Sequence, residues 1–221
     1  IVHYLEVVGM EEDVYQIGLR RTIDPETQAE LAAGILKARV ILRAWLEEQN
    51  IADFVESFDK DKFNTNASVA ENILFGTPVG DQFEIDNLGQ NAYVLTVLGE
   101  TGLTEEFLDK GQRLAEIMVD LFKGLPADHE FWERFSFIGS DDLPDFESIL
   151  ARISQGGLEV IPAEDRSRIL ALPFKLIPAR HHIGLIEDDF MDRLLEARSA
   201  FEAGLSDDLR KSVKFFDAES Y

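Results

Sequence analysis

Cysteine is absent from the 221 residues. That removes disulfide frameworks, thiolate nucleophiles and Cys-type zinc or iron–sulfur sites, and it fits cytosolic or cytosol-facing residence. Basic residues are scarce: 21 Lys and Arg stand against 43 Asp and Glu, a formal charge of −22. A field of that sign repels phosphate backbones and anionic headgroups, which counts against nucleic acid and acidic membrane surfaces as partners. No apolar run is long enough to insert directly into a bilayer, and no basic stretch followed by an apolar one marks a signal peptide. Strand signals are few. The best candidates, residues 1–8 and 158–161, are short and fit helix or extended connector equally well. The sequence opens at Ile1 without a start methionine and stops at Tyr221 after a charged and aromatic run, which predicts a fragment of a longer polypeptide.

What is present is a folding composition, 45% hydrophobic and 29% charged. Asp24-Pro25-Glu26 is a helix start, and Leu31, Ile35, Leu36, Leu42, Trp45 and Leu46 recur after it at helical spacing, predicting a helix that reaches Glu48. A second helix is expected from Thr104, whose hydroxyl can cap it. Its apolar row is Phe107, Leu108, Leu114, Ile117, Met118, Leu121 and Phe122, and Gly124 and Pro126 stop it. Shorter helices are expected at 68–75, 91–99, 143–153, 163–172, 187–203 and 207–215, with Leu172-Pro173 to Pro178 as an extended packed connector. The fold class is therefore mainly α, an irregular multi-helix bundle with Gly/Pro-rich connectors. It forms either one helical domain over 1–221 or two lobes dividing near 124–128.

The chain also repeats itself. Ile17-Gly18-Leu19, Leu36-Lys37-Ala38-Arg39 and Phe58-Asp59-Lys60-Asp61-Lys62-Phe63 recur in the same order as Ile183-Gly184-Leu185, Leu195-Glu196-Ala197-Arg198 and Phe216-Asp217-Ala218-Glu219-Ser220-Tyr221. One length difference between the first two matches accounts for nearly all the drift, so a weak internal duplication is expected.

The most informative string is Asn66-Ala67-Ser68-Val69-Ala70-Glu71-Asn72-Ile73-Leu74-Phe75-Gly76. Ser68 with Glu71 three residues on makes a capping box, Val69, Ile73 and Leu74 face inward, and Gly76 is expected to end the helix in the left-handed region. Beyond that local reading, Ser68-Val69 followed by Glu71-Asn72-Ile73-Leu74-Phe75-Gly76 resembles the segment that follows the glutamine loop and opens the helical subdomain in bacterial ABC-exporter ATP-binding subunits. Phe58-Asp59 to Asn64 lies where that loop would lead in, and Gly102-Leu103 resembles the continuation of the subdomain. The resemblance implies an accessory or inserted helical region of such a subunit. It implies placement in the cytoplasm or at the cytoplasmic face of the inner membrane, and contact with the remainder of a transporter chain or complex. The interface residues it points to are Glu71, Asn72, Leu74, Phe75 and Gly76.

The departures set the expected role. No G-x-x-x-x-G-K-[ST] loop offers backbone and lysine to phosphates, no apolar run ends in paired acids, and no glutamine lies between Glu56 and Asn66. Ser154-Gln155-Gly156-Gly157 has the wrong order for the family's signature and reads as a helix-ending glycine pair. The expectation is a non-catalytic accessory domain with no catalytic, cofactor or metal residues of its own, acting through protein–protein contacts. The alternative is a free-standing acidic helical adaptor that binds a basic partner through its field and the aromatic run 131–137. Arg180-His181-His182 reads as solvent-facing or capping, because adjacent imidazoles on a helix point apart. The acidic groups 11–13, 141–142 and 187–189 read as solvating helix starts, with a carboxylate-based enzyme as a third and weaker possibility.

Overall fold

The computed structural model describes residues 10, 14, 23–24, 26–51 and 59–216. The chain divides into two compact units, 1–56 together with 221, and 57–220, so the turn at 124–128 lies inside the second. Residues 1–9, 11–13, 15–22, 25, 52–58 and 217–221 lie outside the described residues, Pro25 of the helix start and Phe58 of the repeat among them. With them go the strand candidate at the N-terminus, the acidic group 11–13, the Ile17-Gly18-Leu19 copy of the repeat and most of its terminal motif.

In the first unit, α1 spans Ala29–Glu48. Asp24 organises the turn before it, accepting from Glu26 N–H at 3.0 Å and from the Thr27 hydroxyl at 2.8 Å, although the helix proper begins only at Ala29. No residue of α1 is buried.

The second unit is built from α2 (Val69–Leu74), β1 (Gly76–Pro78), α3 (Ala92–Glu100), α4 (Thr104–Phe122) and α5 (Glu130–Phe135). There follow α6 (Leu143–Gly156), α7 (Ala163–Ala171), α8 (Pro178–His181), α9 (Asp188–Gly204), α10 (Asp207–Arg210) and β2 (Val213–Phe215). The mainly α expectation is met. Its centre is aromatic: Phe83, Phe107, Phe174, Phe190 and Phe201 are all fully buried. Phe107 lies 4.9 Å from Phe174 and 5.8 Å from Phe190, ring centre to ring centre, and Phe83 meets Phe201 edge-on at 5.3 Å. Each such burial contributes roughly 2 kcal/mol of hydrophobic free energy.

α4 is the spine. It buries Phe107, Leu108, Gly111, Leu114, Ala115, Met118, Val119 and Phe122, while Leu121 of the expected apolar row points outward. Gly111 costs helix propensity, yet a Cβ there would stand 2.2 Å from the Ile169 carbonyl oxygen. Its absent side chain therefore lets α7 approach α4 closely. Thr104 is the first helical residue rather than the cap; buried Leu103 occupies the N-cap position, with no side-chain cap bond. The double glycine after Gln155 does end a helix, with Gly157 at φ +83.

Two further expectations are corrected. The helix expected over 207–215 lasts one turn, from a Ser206 cap that accepts from Leu209 N–H, and then becomes strand β2. Val213-Lys214-Phe215 alternates apolar and polar, and it pairs antiparallel with β1, Val213 opposite Pro78 and Phe215 opposite Gly76. Residues 158–161 form turns and a bend instead of a strand. In the connector after α7, the stretch Pro173–Lys175 is a short 3₁₀ turn around buried Phe174, and Leu176 beyond it is extended.

Candidate functional site

The six-residue helix α2 is short for a free helix, which would be marginal at that length. Its ends explain why it holds. Ser68 Oγ accepts from Glu71 N–H at 3.1 Å, while Glu71 Oε2 accepts from both the N–H and the hydroxyl of Ser68 at 2.8 Å. This is the capping box read from the spacing. From the first residue of the helix, Val69 N–H donates to the Leu176 carbonyl at 3.0 Å, tying α2 to the connector after α7.

The C-terminal end differs from expectation. Phe75, not Gly76, takes the left-handed conformation, at φ +43. Gly76 is already strand, and it is glycine for a steric reason: a Cβ would lie 2.3 Å from the Lys214 carbonyl oxygen and 2.7 Å from Val213 Cγ1. Across this seam Phe216 N–H donates to the Phe75 carbonyl at 2.8 Å, and the two rings meet edge-on at 5.9 Å.

Asn72 and Arg198 form the polar centre of the site. Asn72 is 2% exposed and satisfies its whole amide. Its Nδ2 donates to the carbonyls of Asn64 at 2.9 Å and Ser68 at 3.0 Å, and its Oδ1 accepts from Asn64 N–H at 2.8 Å and Arg198 Nη2 at 3.0 Å. Arg198, projecting from the middle of α9, is 5% exposed. Its Nε donates to the Asn72 carbonyl at 2.6 Å, and Nη1 is shared among the carbonyls of Lys60 at 2.6 Å, Lys62 at 3.0 Å and Asp59 at 3.3 Å. The guanidinium also sits over the Phe75 ring, 4.6 Å from its centre. Burial lowers its pKa to about 10, against the opposing pull of Asp59 and Asp61, so it remains a cation at neutral pH. A buried charge is tolerated here because five acceptor contacts and a π face replace its water.

The structure thus brings the sequence-selected residues together, on α2 and the start of β1, and occupies them internally. Asn72, Leu74 and Gly76 are buried, and Glu71 and Phe75 are half-buried. Arg198 belongs to the second Leu-x-Ala-Arg copy, and its side chain grips the backbone that follows Phe58 in the first. The repeat was the sequence signal that could have singled it out. What the cluster does chemically is clamp: one cation gathers the 59–62 turn, the end of α2 and the Phe75 ring onto α9.

Elsewhere, His181 Nδ1 accepts from Ile177 N–H at 2.9 Å and its ring packs edge-on against Phe137 at 4.5 Å. Burial and the neighbouring Arg180 and His182 push its pKa below the ordinary histidine value. His182 takes the left-handed C-cap position of α8. A groove of about 300 Å³ opens beside it, lined by Leu176, Pro178, Ile183, Leu185 and Ile186. In the aromatic run 131–137, Phe131 is exposed, Trp132 packs on Phe122 at 4.5 Å and donates to the Pro126 carbonyl, and Phe137 is buried. Asp142 pairs with Arg168 at 3.0 Å, and Asp188 and Asp189 sit in the first turn of α9. Among the described residues no group of three or more His, Asp or Glu side chains could hold a metal ion, and no helix is long and apolar enough to cross a membrane. Comparison with protein-family models, with curated proteins and with solved structures returns no match for this chain.

Proposed function

We propose that the chain is a non-catalytic helical accessory region of an ABC-transporter ATP-binding subunit, and that it works by protein–protein contact within that assembly. The observation that carries this reading is the Ser68–Gly76 string that bears the resemblance, and its support is local: the string folds as a capped six-residue helix that opens the second, mainly helical unit. The contact role draws further support from α1, whose Leu31, Ile35, Leu36, Val40, Ile41, Leu42 and Trp45 are all exposed. A helix with that much uncovered apolar surface is shaped for a partner.

Two measurements bear on the proposal. Calorimetric titration of the purified chain with magnesium-ATP should show no tight binding, and a clean preparation should show no turnover; either activity overturns the non-catalytic reading. The alternative, an acidic adaptor for a basic partner, rests on the net charge of −22. Its proposed aromatic anchor is reduced, since Phe137 is buried and Trp132 is spent on Phe122.

A further inference from the structure

α8 is a single turn, Pro178–His181, and its N–H groups can be accounted for one by one. Pro178 has none to give. Ala179 N–H donates to the Thr65 carbonyl at 3.0 Å, and the Arg180 and His181 N–H groups both turn back to the Ile177 carbonyl, at 3.1 and 3.0 Å. Ile177 is the N-cap residue, and its own side chain supplies no cap bond. Its N–H is taken by Nδ1 of His181 at 2.9 Å, so the imidazole at the end of the turn closes the beginning of the turn. A helix of four residues has almost no propagation to hold it, and His182 after it sits at φ +48, a conformation that side chains rarely adopt. The imidazole is thus a tie on which the turn depends.

Two neighbours depend on the turn in their own right. The Leu176 carbonyl just ahead of it accepts from Val69 N–H at 3.0 Å, and Ala179 within it reaches Thr65, so α8 is stitched to both ends of the stretch that leads into α2. Leu176, Pro178 and His182 also line the groove of about 300 Å³. Leu185, in the same lining, is fastened separately, its carbonyl accepting from Lys110 Nζ of α4 at 2.8 Å.

Nδ1 cannot accept a hydrogen bond once it carries a proton. While it accepts, the neutral ring holds its proton on Nε2, and the next proton has only Nδ1 to go to, where it would face the Ile177 N–H. The surroundings resist that charge. The ring is half-buried and packs edge-on against Phe137 at 4.5 Å. Burial first, then Arg180 and His182, push its pKa below the ordinary histidine value, against a smaller upward pull from the Ile177 backbone. From the other packed elements, the charges at this seam are Lys175, whose Nζ donates to the Phe137 carbonyl at 3.4 Å, and Asp86, which pairs with Lys175 at 2.5 Å. Glu71, at the head of α2, is held in its capping box.

We propose that His181 is an acid-operated latch: a proton at Nδ1 releases the Ile177 N–H, unwinds α8, and frees the head of α2 and the adjoining groove from the connector. At neutral pH the latch is closed. It opens as the pH falls through the folded-state pKa of His181, because the ring is neutral when bonded. The inference concerns how the chain itself responds to acid, and it stands or falls independently of the transporter reading.

The test is a nuclear magnetic resonance titration of the full, isotope-labelled chain from neutral to mildly acidic pH. The imidazole nitrogen shifts of His181 should report the Nε2–H form at neutral pH, followed by protonation of Nδ1 at a midpoint below that of an ordinary histidine. Across that midpoint the Ile177 and Ala179 amides should lose about tenfold in hydrogen-exchange protection, after correction for the intrinsic pH dependence of exchange. Leu114 and Met118, buried in α4, should keep theirs. His181→Gln supplies an amide oxygen that accepts but does not titrate, and should hold both amides protected throughout. His182→Gln should leave the titration in place. An Nδ1–H ring at neutral pH, a ring that stays neutral until the whole chain unfolds, or Ile177 protection that ignores the midpoint would each overturn the latch. So would a pH-dependent loss that persists in His181→Gln; if that variant fails to fold, the titration of the parent chain still decides.

Discussion

Replacing Arg198 by methionine keeps a side chain of similar reach while removing every donor and the charge. The Asn72 carbonyl lies in the last turn of α2, where intrahelical donors run out, and it would lose its contact with Nε; Oδ1 of the same residue would lose Nη2. Leaving the buried Asn72 carbonyl without its donor costs about 1–3 kcal/mol, and Oδ1, which keeps Asn64 N–H, loses one charge-assisted bond worth about 1.5–3 kcal/mol. Loss of the cation over Phe75 adds about 0.5–2 kcal/mol. Two effects offset part of this. The guanidinium no longer has to be dehydrated, the same burial that lowers its pKa to about 10, and the exposed side chains of Lys60 and Lys62 mark a turn whose carbonyls water can reach. The net expectation is a loss of about 3 kcal/mol, a sizeable share of the roughly 5–15 kcal/mol that holds a domain. For a unit of this size that corresponds to a drop in Tm of roughly 6–12 °C. Urea unfolding followed by circular dichroism, with native-state hydrogen exchange at Asn64 and Val69, measures both the total and its location. Arg198→Lys should recover only part of the loss, since an ammonium cannot reproduce the planar fork. A methionine variant within 1 kcal/mol of the parent, with Asn64 still protected, would refute the clamp.

Gly76→Ala should break the pairing of β1 with β2 and cost about 1–3 kcal/mol, because the new Cβ meets the Lys214 carbonyl oxygen at 2.3 Å; thermal melting reads it directly. Gly111→Ala should destabilise in spite of its better helix propensity, and a stabilised variant would show that α4 and α7 are not held at the close approach described. Ser68→Ala removes half of the capping box and should cost about 1 kcal/mol in denaturant unfolding. His181 has a folded-state pKa below its ordinary value, so the unfolded chain takes up its proton first as the pH falls. Its contribution to stability is complete above the ordinary histidine pKa and is lost as pH falls through the folded value. A series of unfolding curves between neutral and mildly acidic pH should therefore fall less steeply for His181→Gln than for the parent. Equal slopes would contradict the burial of that imidazole beside Arg180, His182 and Phe137.

Local rules carried the helices well because their signals are local. The Ser68–Glu71 capping box is written within a few residues and holds in the structure, whereas the Thr104 cap does not, because Leu103 occupies that position. Nonlocal constraints were not legible. Three residues of β2 become strand only because Gly76–Pro78 arrives beside them from far along the chain, and the expectation of a helix over 207–215 passed over the alternation of Val213-Lys214-Phe215. The same cause put the left-handed residue at the wrong position: glycine at 76 answers a cross-strand clash, so Phe75 makes the turn. Gly111 looked like a weak point in α4 and is a contact with α7. At the site, the capping box was readable and the Asn72–Arg198 clamp was not, since it joins residues that only the fold brings together. The five interface candidates cluster as the string suggested, but Asn72, Leu74 and Gly76 are turned to their own chain, and the uncovered apolar surface is on α1.

The proposal stands or falls on whether these residues touch the remainder of a transporter chain or complex. Chemical crosslinking through Lys37, on the helix whose apolar surface is open, followed by mass spectrometry on the native assembly, addresses it most directly. The account predicts crosslinks from Lys37 to a polypeptide that carries a phosphate-loop motif and belongs to an ABC ATP-binding subunit. Crosslinks confined to the chain itself, or leading only to polypeptides without that motif, would contradict it.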